Sequence, residues 1–356
     1  MIDTDKFVNE LIELKYTHVC AVPCSFLKSL INSCINNNRL EYIPSASEAI
    51  ACSIAAGLKI SGNKPIVLVQ SSGLTNMASC ITSLLIPYSI RFPIISSWRT
   101  YRYGDSEIQH MHLAKALPEL IKSYGYEGKI LDKNNLESAI LEIESANLKP
   151  QILIVKANTF SPIELDQKHQ IDLSVFLPRS IFLKHLNKKF SGIKNVSFIG
   201  TTGNTSREMY AFMKNTNNFY MAGNMGGALS LGLGVSKSGN KVIVCGGDAE
   251  FVMHMGGLST AGRYGKEVDL LYILFDNQQN KSTGGQNTYQ QHIDYNIIAN
   301  GAGFSTKNIQ ITKISDFDSF LEFSGLNFLW VKCGLDPEEA RPPLAVVKNN
   351  RIDLKL

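Results

Sequence analysis

The sequence predicts an α/β protein built from two doubly wound parallel-sheet domains. Short apolar runs alternate with stretches of helical spacing along the whole chain. The alternation occurs twice, on either side of a polar stretch at 157–176. Strands that alternate with helices form parallel sheets covered on both faces.

In the first half, strands are expected at HVCAVP (18–23), EYIP (41–44), PIVLVQ (65–70), FPIISSW (92–98) and QILIVKA (151–157). The intervening SFLKSLINSCI, SEAIACSIAAGLKI, LTNMASCITSLLI and HLAKALPELIKSY carry apolar residues at helical spacing. In the second half, strands are expected at NVSFIG (195–200), NFYMAG (218–223), KVIVCGG (241–247), DLLYILFDN (269–277) and NFLWVKC (327–333). SREMYAFMK, GALSLGLGVS and MGGLSTAGRYG supply helices between them. The expected boundaries are a first domain over 1–160, a linker over 161–176 and a second domain over 177–356. Both domains are of ordinary size.

Composition narrows the class. The 356 residues are 44% hydrophobic and 19% charged, enough for sizeable cores. A net charge of +4 is too small and too evenly spread to point to nucleic acid or an anionic membrane. No apolar run reaches the roughly 18 residues of a spanning helix. The acidic, amphipathic start MIDTDKFVNELIELK is unlike a secretory signal. Seven scattered cysteines form no zinc-site spacing and are expected as small buried hydrophobes in a reducing cytoplasm.

Ligands of open parallel sheets sit at the carboxyl ends of strands. Asp248 and Asn277 both fall at such ends, with 28 residues between them, one crossover's worth of chain. A right-handed crossover would set those two ends together. A carboxylate, an amide oxygen and backbone carbonyls suit Mg²⁺ and a phosphate partner. Gly246, Gly247 and Ala249 leave backbone N–H groups open to a diphosphate. Taken alone, Asp248 and Asp276 also fit plain helix caps.

The stretch GGDAEFVMHMGGLSTAG…ILFDNQQNKSTGGQ resembles the thiamine-diphosphate fingerprint, G-D-G followed by a crossover and N-N. The resemblance implies Mg²⁺ held by Asp248, Asn277 and the Gln279 carbonyl, with Gly247, Ala249 and Glu250 beside the cofactor. Two positions depart from the fingerprint. Ala249 stands for the third glycine, tolerable where φ is negative, and Asp276 stands for the first asparagine. SASEAIACSIAAG resembles the family's glutamate helix and implies Glu48 as the carboxylate that hydrogen-bonds a pyrimidine nitrogen. Its plain alternative is an exposed first-turn acid favoured by the helix dipole. MAGNMGGALSLG resembles the pyrimidine loop, with Met225 as the hydrophobic wedge and the Gly223 carbonyl as acceptor. A core methionine beside glycine-rich packing is the alternative there. FIGTTGNTSRE resembles the phosphate turn, implying contacts from Thr202, Gly203 and Asn204. The domains are then a pyrimidine-binding and a diphosphate-binding domain with no middle domain. The superfamily's habit implies at least a homodimer with the active site between subunits.

Within that superfamily, AVPCSFLKSLIN, QSSGLTNMASCITSL, SSWRTYRYGDSEIQH, TTGNTSREMY and FDNQQNKSTGGQ resemble the phosphonopyruvate decarboxylase family, and the likeness covers nearly the whole chain. It implies a carboxy-lyase converting 3-phosphonopyruvate to phosphonoacetaldehyde and CO₂. Sulfopyruvate or another 3-substituted 2-oxo acid, or a carboligase reaction, is the alternative. Ser25, Lys28, Ser72, Gly73, Arg99, Gln109 and Lys281 are the expected substrate contacts, and His110 the expected proton donor. For the lysines and Arg99, the competing expectation is a solvated surface charge. Cys24 stands where the family carries an acid, V-P-D-S, which makes the reaction class firmer than the substrate. A dinucleotide-binding protein is disfavoured because GGDAEF lacks G-x-G-x-x-G. Retention of Glu48, Asp248 and Asn277 together argues against a non-catalytic scaffold.

Overall fold

The computed structural model describes residues 1–102, 104 and 107–335, in two units. Residues 336–356 of the expected second domain lie outside the described residues, as do Tyr103, Asp105 and Ser106 of the WRTYRYGDSEIQH segment. Unit 1 comprises Met1–Gln170 and Asn280–Asn287, and unit 2 comprises Ile171–Gln279 and the chain from Thr288 on. Part of the stretch expected as linker is tied to unit 1. Asn32 Nδ2 donates to the Ile163 carbonyl, Asn36 Nδ2 donates to the Glu164 carbonyl, and Lys28 pairs with the Glu164 carboxylate.

Unit 1 holds β1 (His18–Ala21), β2 (Glu41–Pro44), β3 (Pro65–Gln70), β4 (Ile94–Ser97), β5 (Glu127–Ile130) and β6 (Gln151–Val155). They form one sheet in the order β2-β1-β3-β4-β6-β5, every neighbouring pair parallel. Its helices are α1 (Thr4–Glu13), α2 (Lys28–Asn36), α3 (Glu48–Ile60), α4 (Gly73–Asn76), α5 (Ala78–Cys80), α6 (Met111–Ser123) and α7 (Leu136–Ser145). Side chains alternate between two cores. Val19 and Ala21 of β1, with Ile66 and Leu68 of β3, enter one core, while Cys20, Val67 and Val69 enter the other. That is the signature of a sheet covered on both faces. The sequence reading lacks β5, an edge strand whose EGKI is mostly exposed and has no apolar pattern. The helix expected over 74–86 is broken. Thr82 Oγ1 donates to the Ala78 carbonyl, and the chain widens into a π turn over Ile81–Leu85 closed by Ile86 N–H to the Ile81 carbonyl. Threonine back-bonding of this kind bends helices.

Unit 2 opens with β7 (Val196–Gly200), β8 (Asn217–Tyr220), β9 (Lys241–Gly247) and β10 (Leu270–Asp276). The short β11 (Gln279–Asn280) and β12 (Gln286–Asn287) form a separate two-stranded ladder. With β13 (Gln310–Ile311) and β14 (Leu326–Lys332), the main sheet of unit 2 runs β13-β14-β10-β9-β7-β8, all parallel. Its helices are α8 (Arg179–Lys189), α9 (Asn204–Phe212), α10 (Ala228–Ser236), α11 (Asp248–Met253), α12 (Gly256–Arg263), α13 (Tyr295–Gly301) and α14 (Ile314–Asp318). On β10, Leu271, Ile273 and Phe275 enter one core, while Tyr272 points to an aromatic cluster with Phe251 and Phe328 on the other face.

The TSRE word has a packing role. Ser206 Oγ donates to the Gly200 carbonyl, pinning α9 to β7, and Glu208 takes a two-pronged ion pair from Arg179 of α8 at 2.6 and 2.7 Å. Both partners are buried, so loss of either would strand a charge in the core. Among the described residues, no helix is long and apolar enough to cross a membrane.

Candidate active site

The polar groups singled out in unit 1 lie where strands and turns meet helices. Glu48 is the first residue of α3, with Ser47 as its cap accepting from Ile50 N–H. An exposed dipole residue was the plain alternative, but Glu48 is only 2% exposed. Its Oε2 accepts from Asn76 Nδ2 at 2.9 Å, while Oε1 has no hydrogen-bond partner among the described residues. Gly73 makes the room: a Cβ there would stand 2.5 Å from Glu48 Cγ and 2.6 Å from Oε1. The QSSG turn after β3 thus presses backbone against the carboxylate. The adjacent Ser71 hydroxyl is buried and has no partner among the described residues. Ser72 is half-buried in the same turn.

A second cluster in unit 1 gathers around Arg99. This side chain is buried, ion-paired to Glu107, and stacked 4.8 Å from the Phe26 ring. Its Nη1 lies 3.7 Å from Cys24 Sγ, which also meets Ser97 Oγ at 3.2 Å. Cys24 therefore lies beside Arg99, whose negative partner is Glu107. His110 is buried, its Nε2 4.0 Å from the same Glu107 carboxylate. Gln109 and Ser25 are exposed, and Lys28 is committed to Glu164 at 3.0 Å. Lys281 is half-buried within unit 1's segment Asn280–Asn287. Glu107 and Asn76 were not among the expected site residues. Glu107 and Asn76 could not be told from surface polar residues without the contacts.

In unit 2 the parallel pairing of β9 with β10 sets Phe275 opposite Gly247, so Asp248 and Asp276 follow side by side at the carboxyl ends. Asp248 begins α11, is buried, and accepts from Thr288 Oγ1 at 2.9 Å. Burial, then the nearby Asp276 carboxylate, push its carboxyl up to about 7. Among the described residues, no lysine or arginine pairs with it. Asp276, by contrast, is neutralised: Lys332 Nζ and Trp330 Nε1 each donate to its Oδ2 at 3.0 Å. The departure from the family's asparagine is thus balanced by a lysine from the neighbouring strand. Asn277 is buried at the start of a turn in which its Oδ1 accepts from Gln279 N–H and Asp276 Oδ1 accepts from Gln278 N–H, with Gln278 left-handed at φ 52°.

The remaining expected cofactor contacts line the same strand ends. Thr201, after β7, has a buried hydroxyl without a partner among the described residues; Thr202, Gly203 and Asn204 follow, half-buried, with Gly203 at φ 77° capping α9. Met225 is half-buried between two left-handed residues, Asn224 at φ 60° and Gly226 at φ 91°. That turn leaves its backbone little freedom. Gly223 lies in the bend before it. Ala249 is in α11 with helical backbone, so its methyl costs no strain. A Cβ on Gly247 would meet nothing within 4 Å, as an open cradle requires. Glu250 is turned inward: Tyr272 OH donates to its Oε2 at 2.5 Å, backbone N–H groups assist, and burial pushes its carboxyl up to about 7.

These residues fit a phosphate ester and its metal. Among the described residues, Asp248 is a buried carboxylate lacking a cation partner, Thr201 a hydroxyl without a hydrogen bond, and Gly247 an open backbone. Among the described residues, no three His, Cys, Asp or Glu side chains cluster as a metal site. Residues 4–117 match the family described as thiamine pyrophosphate enzyme, N-terminal TPP binding domain, and residues 199–321 match its C-terminal TPP binding domain. A phosphonopyruvate decarboxylase of Streptomyces hygroscopicus is 30% identical over 323 residues, 85% of this chain and 80% of that one. The phosphonopyruvate decarboxylase of Streptomyces viridochromogenes is 29% identical over 85% of this chain and 81% of its own. A sulfopyruvate decarboxylase of Methanosarcina acetivorans is 28% identical over 86% and 84%.

Proposed function

The chain belongs to the phosphonopyruvate decarboxylase family of thiamine pyrophosphate enzymes, and from that premise we propose that it decarboxylates 3-phosphonopyruvate to phosphonoacetaldehyde and CO₂. Bound thiamine diphosphate supplies the electron sink for loss of CO₂ from a 2-oxo acid. The observation that carries the reading is Glu48. It is a dry carboxylate fixed by Asn76 through Oε2, backed by a glycine that leaves no room for a side chain, with Oε1 left to hold a proton against the cofactor's pyrimidine. Asp248, Asn277 and the Gln279 carbonyl would hold Mg²⁺ on the diphosphate. Thr202, Gly203, Asn204 and Gly247 would bind the phosphates through backbone and side-chain donors. Met225, on its constrained turn, would brace the cofactor.

Arg99 is the group we assign to the substrate's phosphonate. It is positive, buried and planar, and such a fork suits an oxyanion. His110, with Glu107 beside it, would hand a proton to the product. Lys28, paired with Glu164, contributes less than the sequence suggested. We further read the enzyme as a homo-oligomer whose site takes groups from two subunits.

Cys24 favours keeping a second substrate in view. With no acid at that position, the cluster carries one negative charge fewer than the family's pattern, a change to which sulfonate and phosphonate respond differently. Decarboxylation of 3-phosphonopyruvate, sulfopyruvate and pyruvate should be assayed side by side. The phosphonate should be preferred by kcat/KM, and Arg99→Ala should lower that value far more for it than for pyruvate. Preference for sulfopyruvate would move the enzyme to the second reading, and equal losses would remove Arg99 from phosphonate recognition.

A further inference from the structure

The STGGQ word folds into a small loop fastened to α2 of its own unit. Within the segment Asn280–Asn287 of unit 1, a single helical turn over Lys281–Thr283 joins β11 to β12. Gly285 N–H and Thr283 Oγ1 donate to the Asn280 carbonyl at 3.0 and 3.1 Å, and Gly284 N–H donates to the Lys281 carbonyl at 3.4 Å. Gly284 at φ 134° and Gly285 at φ 82° bring the chain back, in conformations that other residues adopt only under strain. Bonded to itself in this way, the loop moves as one piece, and Lys281 moves with it.

Gln286 fastens that piece. Its side chain is fully buried, and Nε2 donates to Asn32 Oδ1 on α2 at 2.8 Å, the side chain's only hydrogen bond among the described residues. Asn32 is equally buried, and its Nδ2 donates to the Ile163 carbonyl at 2.9 Å. The Asn32 oxygen is therefore the atom that faces Gln286, which fixes the sense of the amide pair. Gly284 completes the seat. A Cβ there would stand 2.7 Å from Lys28 Cγ and 2.7 Å from Gln286 Nε2, so bare backbone lies on the lysine stem.

The proposed substrate carries a carboxylate and a phosphonate. Two of the expected cations already face acids, Arg99 with Glu107 and Lys28 with Glu164. We propose that Gln286 and Asn32 are positioning residues: their amide pair seats the loop so that Lys281 acts as a second cation, in addition to Arg99, for the substrate's anionic groups. An unseated lysine would have to be ordered by each substrate molecule as it binds, a cost that raises KM. The role of Lys281 rests on the proposed decarboxylation; the seating of the loop does not.

Gln286→Met keeps the length of the side chain and removes the donor. Trypsin added to the holoenzyme should then cut after Lys281 about tenfold faster than in wild type, since cleavage follows local opening. KM for 3-phosphonopyruvate should rise about tenfold with kcat held within about twofold. Lys281→Met should raise KM by a similar factor, and adding Gln286→Met to it should change KM no further, because the amide acts through the lysine. Gly284→Ala pushes a methyl into the same seat and should reproduce both effects, so it serves where Gln286→Met does not fold. Unchanged cutting after Lys281 overturns the seat. Unchanged KM, or a rise in KM equally large with and without Lys281, overturns the positioning role. Failure of the wild-type enzyme to decarboxylate any 2-oxo acid would strike the functional reading instead, and the cutting rate would still decide whether the amide pair holds the loop.

Discussion

Replacing Lys332 by methionine isolates the ion pair beside the Asn277 turn. Asp276 and Lys332 are registered partners on adjacent strands β10 and β14, 3.0 Å apart, with side chains 1% and 6% exposed. Methionine matches the lysine stem but leaves the carboxylate with two neutral donors, Trp330 Nε1 and the Gln278 N–H. Stranding one member of a buried pair costs about 3–5 kcal/mol. Changing Asp276 to asparagine at the same time removes the stranded charge, although the amide oxygen can keep only one of the two donors, which bond different carboxylate oxygens. The double variant should therefore recover part of the loss, giving a coupling of roughly 1–2 kcal/mol. Urea unfolding followed by far-ultraviolet circular dichroism, on all four proteins of the cycle at one pH, supplies the numbers. A single variant within about 1 kcal/mol of wild type, or a cycle with no coupling, would refute the reasoning that Lys332 neutralises Asp276.

Asp248→Ala should abolish Mg²⁺-dependent binding of thiamine diphosphate; calorimetry showing unchanged affinity would remove Asp248 from the metal. Glu48→Gln should fold, bind cofactor and fail in turnover, because an amide can bond to the pyrimidine nitrogen but cannot share a proton with it. Deuterium exchange at the thiazolium carbon of bound cofactor should slow in parallel, and wild-type exchange would end the assignment. Met225→Ala should leave cofactor affinity nearly intact and slow turnover; full turnover would place Met225 outside the site.

Much of this was legible in the chain. Period and spacing gave two parallel α/β units, because a strand buried on both faces must be written in continuous apolar residues, as VIVC and LLYILF are. Glycines and polar residues at strand ends marked where a ligand would sit. β5 was not legible, because an exposed edge strand has no burial to write into its sequence. Neither was the break after α5, which turns on one threonine's hydroxyl.

The sequence by itself determined the fold class, the family, and the candidates Glu48, Asp248 and Asn277, since each rests on local pattern. Only the tertiary structure decided what those groups face. It buried Glu48 against Gly73 and Asn76, twenty-five and twenty-eight residues away. It gave Asp276 to Lys332 while leaving Asp248 without a cation among the described residues. It placed Cys24 under Arg99, and took Lys28 away to Glu164. The physical reason is common to all of these. The effect of a charge depends on what stands within a few ångströms and on how much water is excluded, and sheet register brings together residues that the sequence keeps apart.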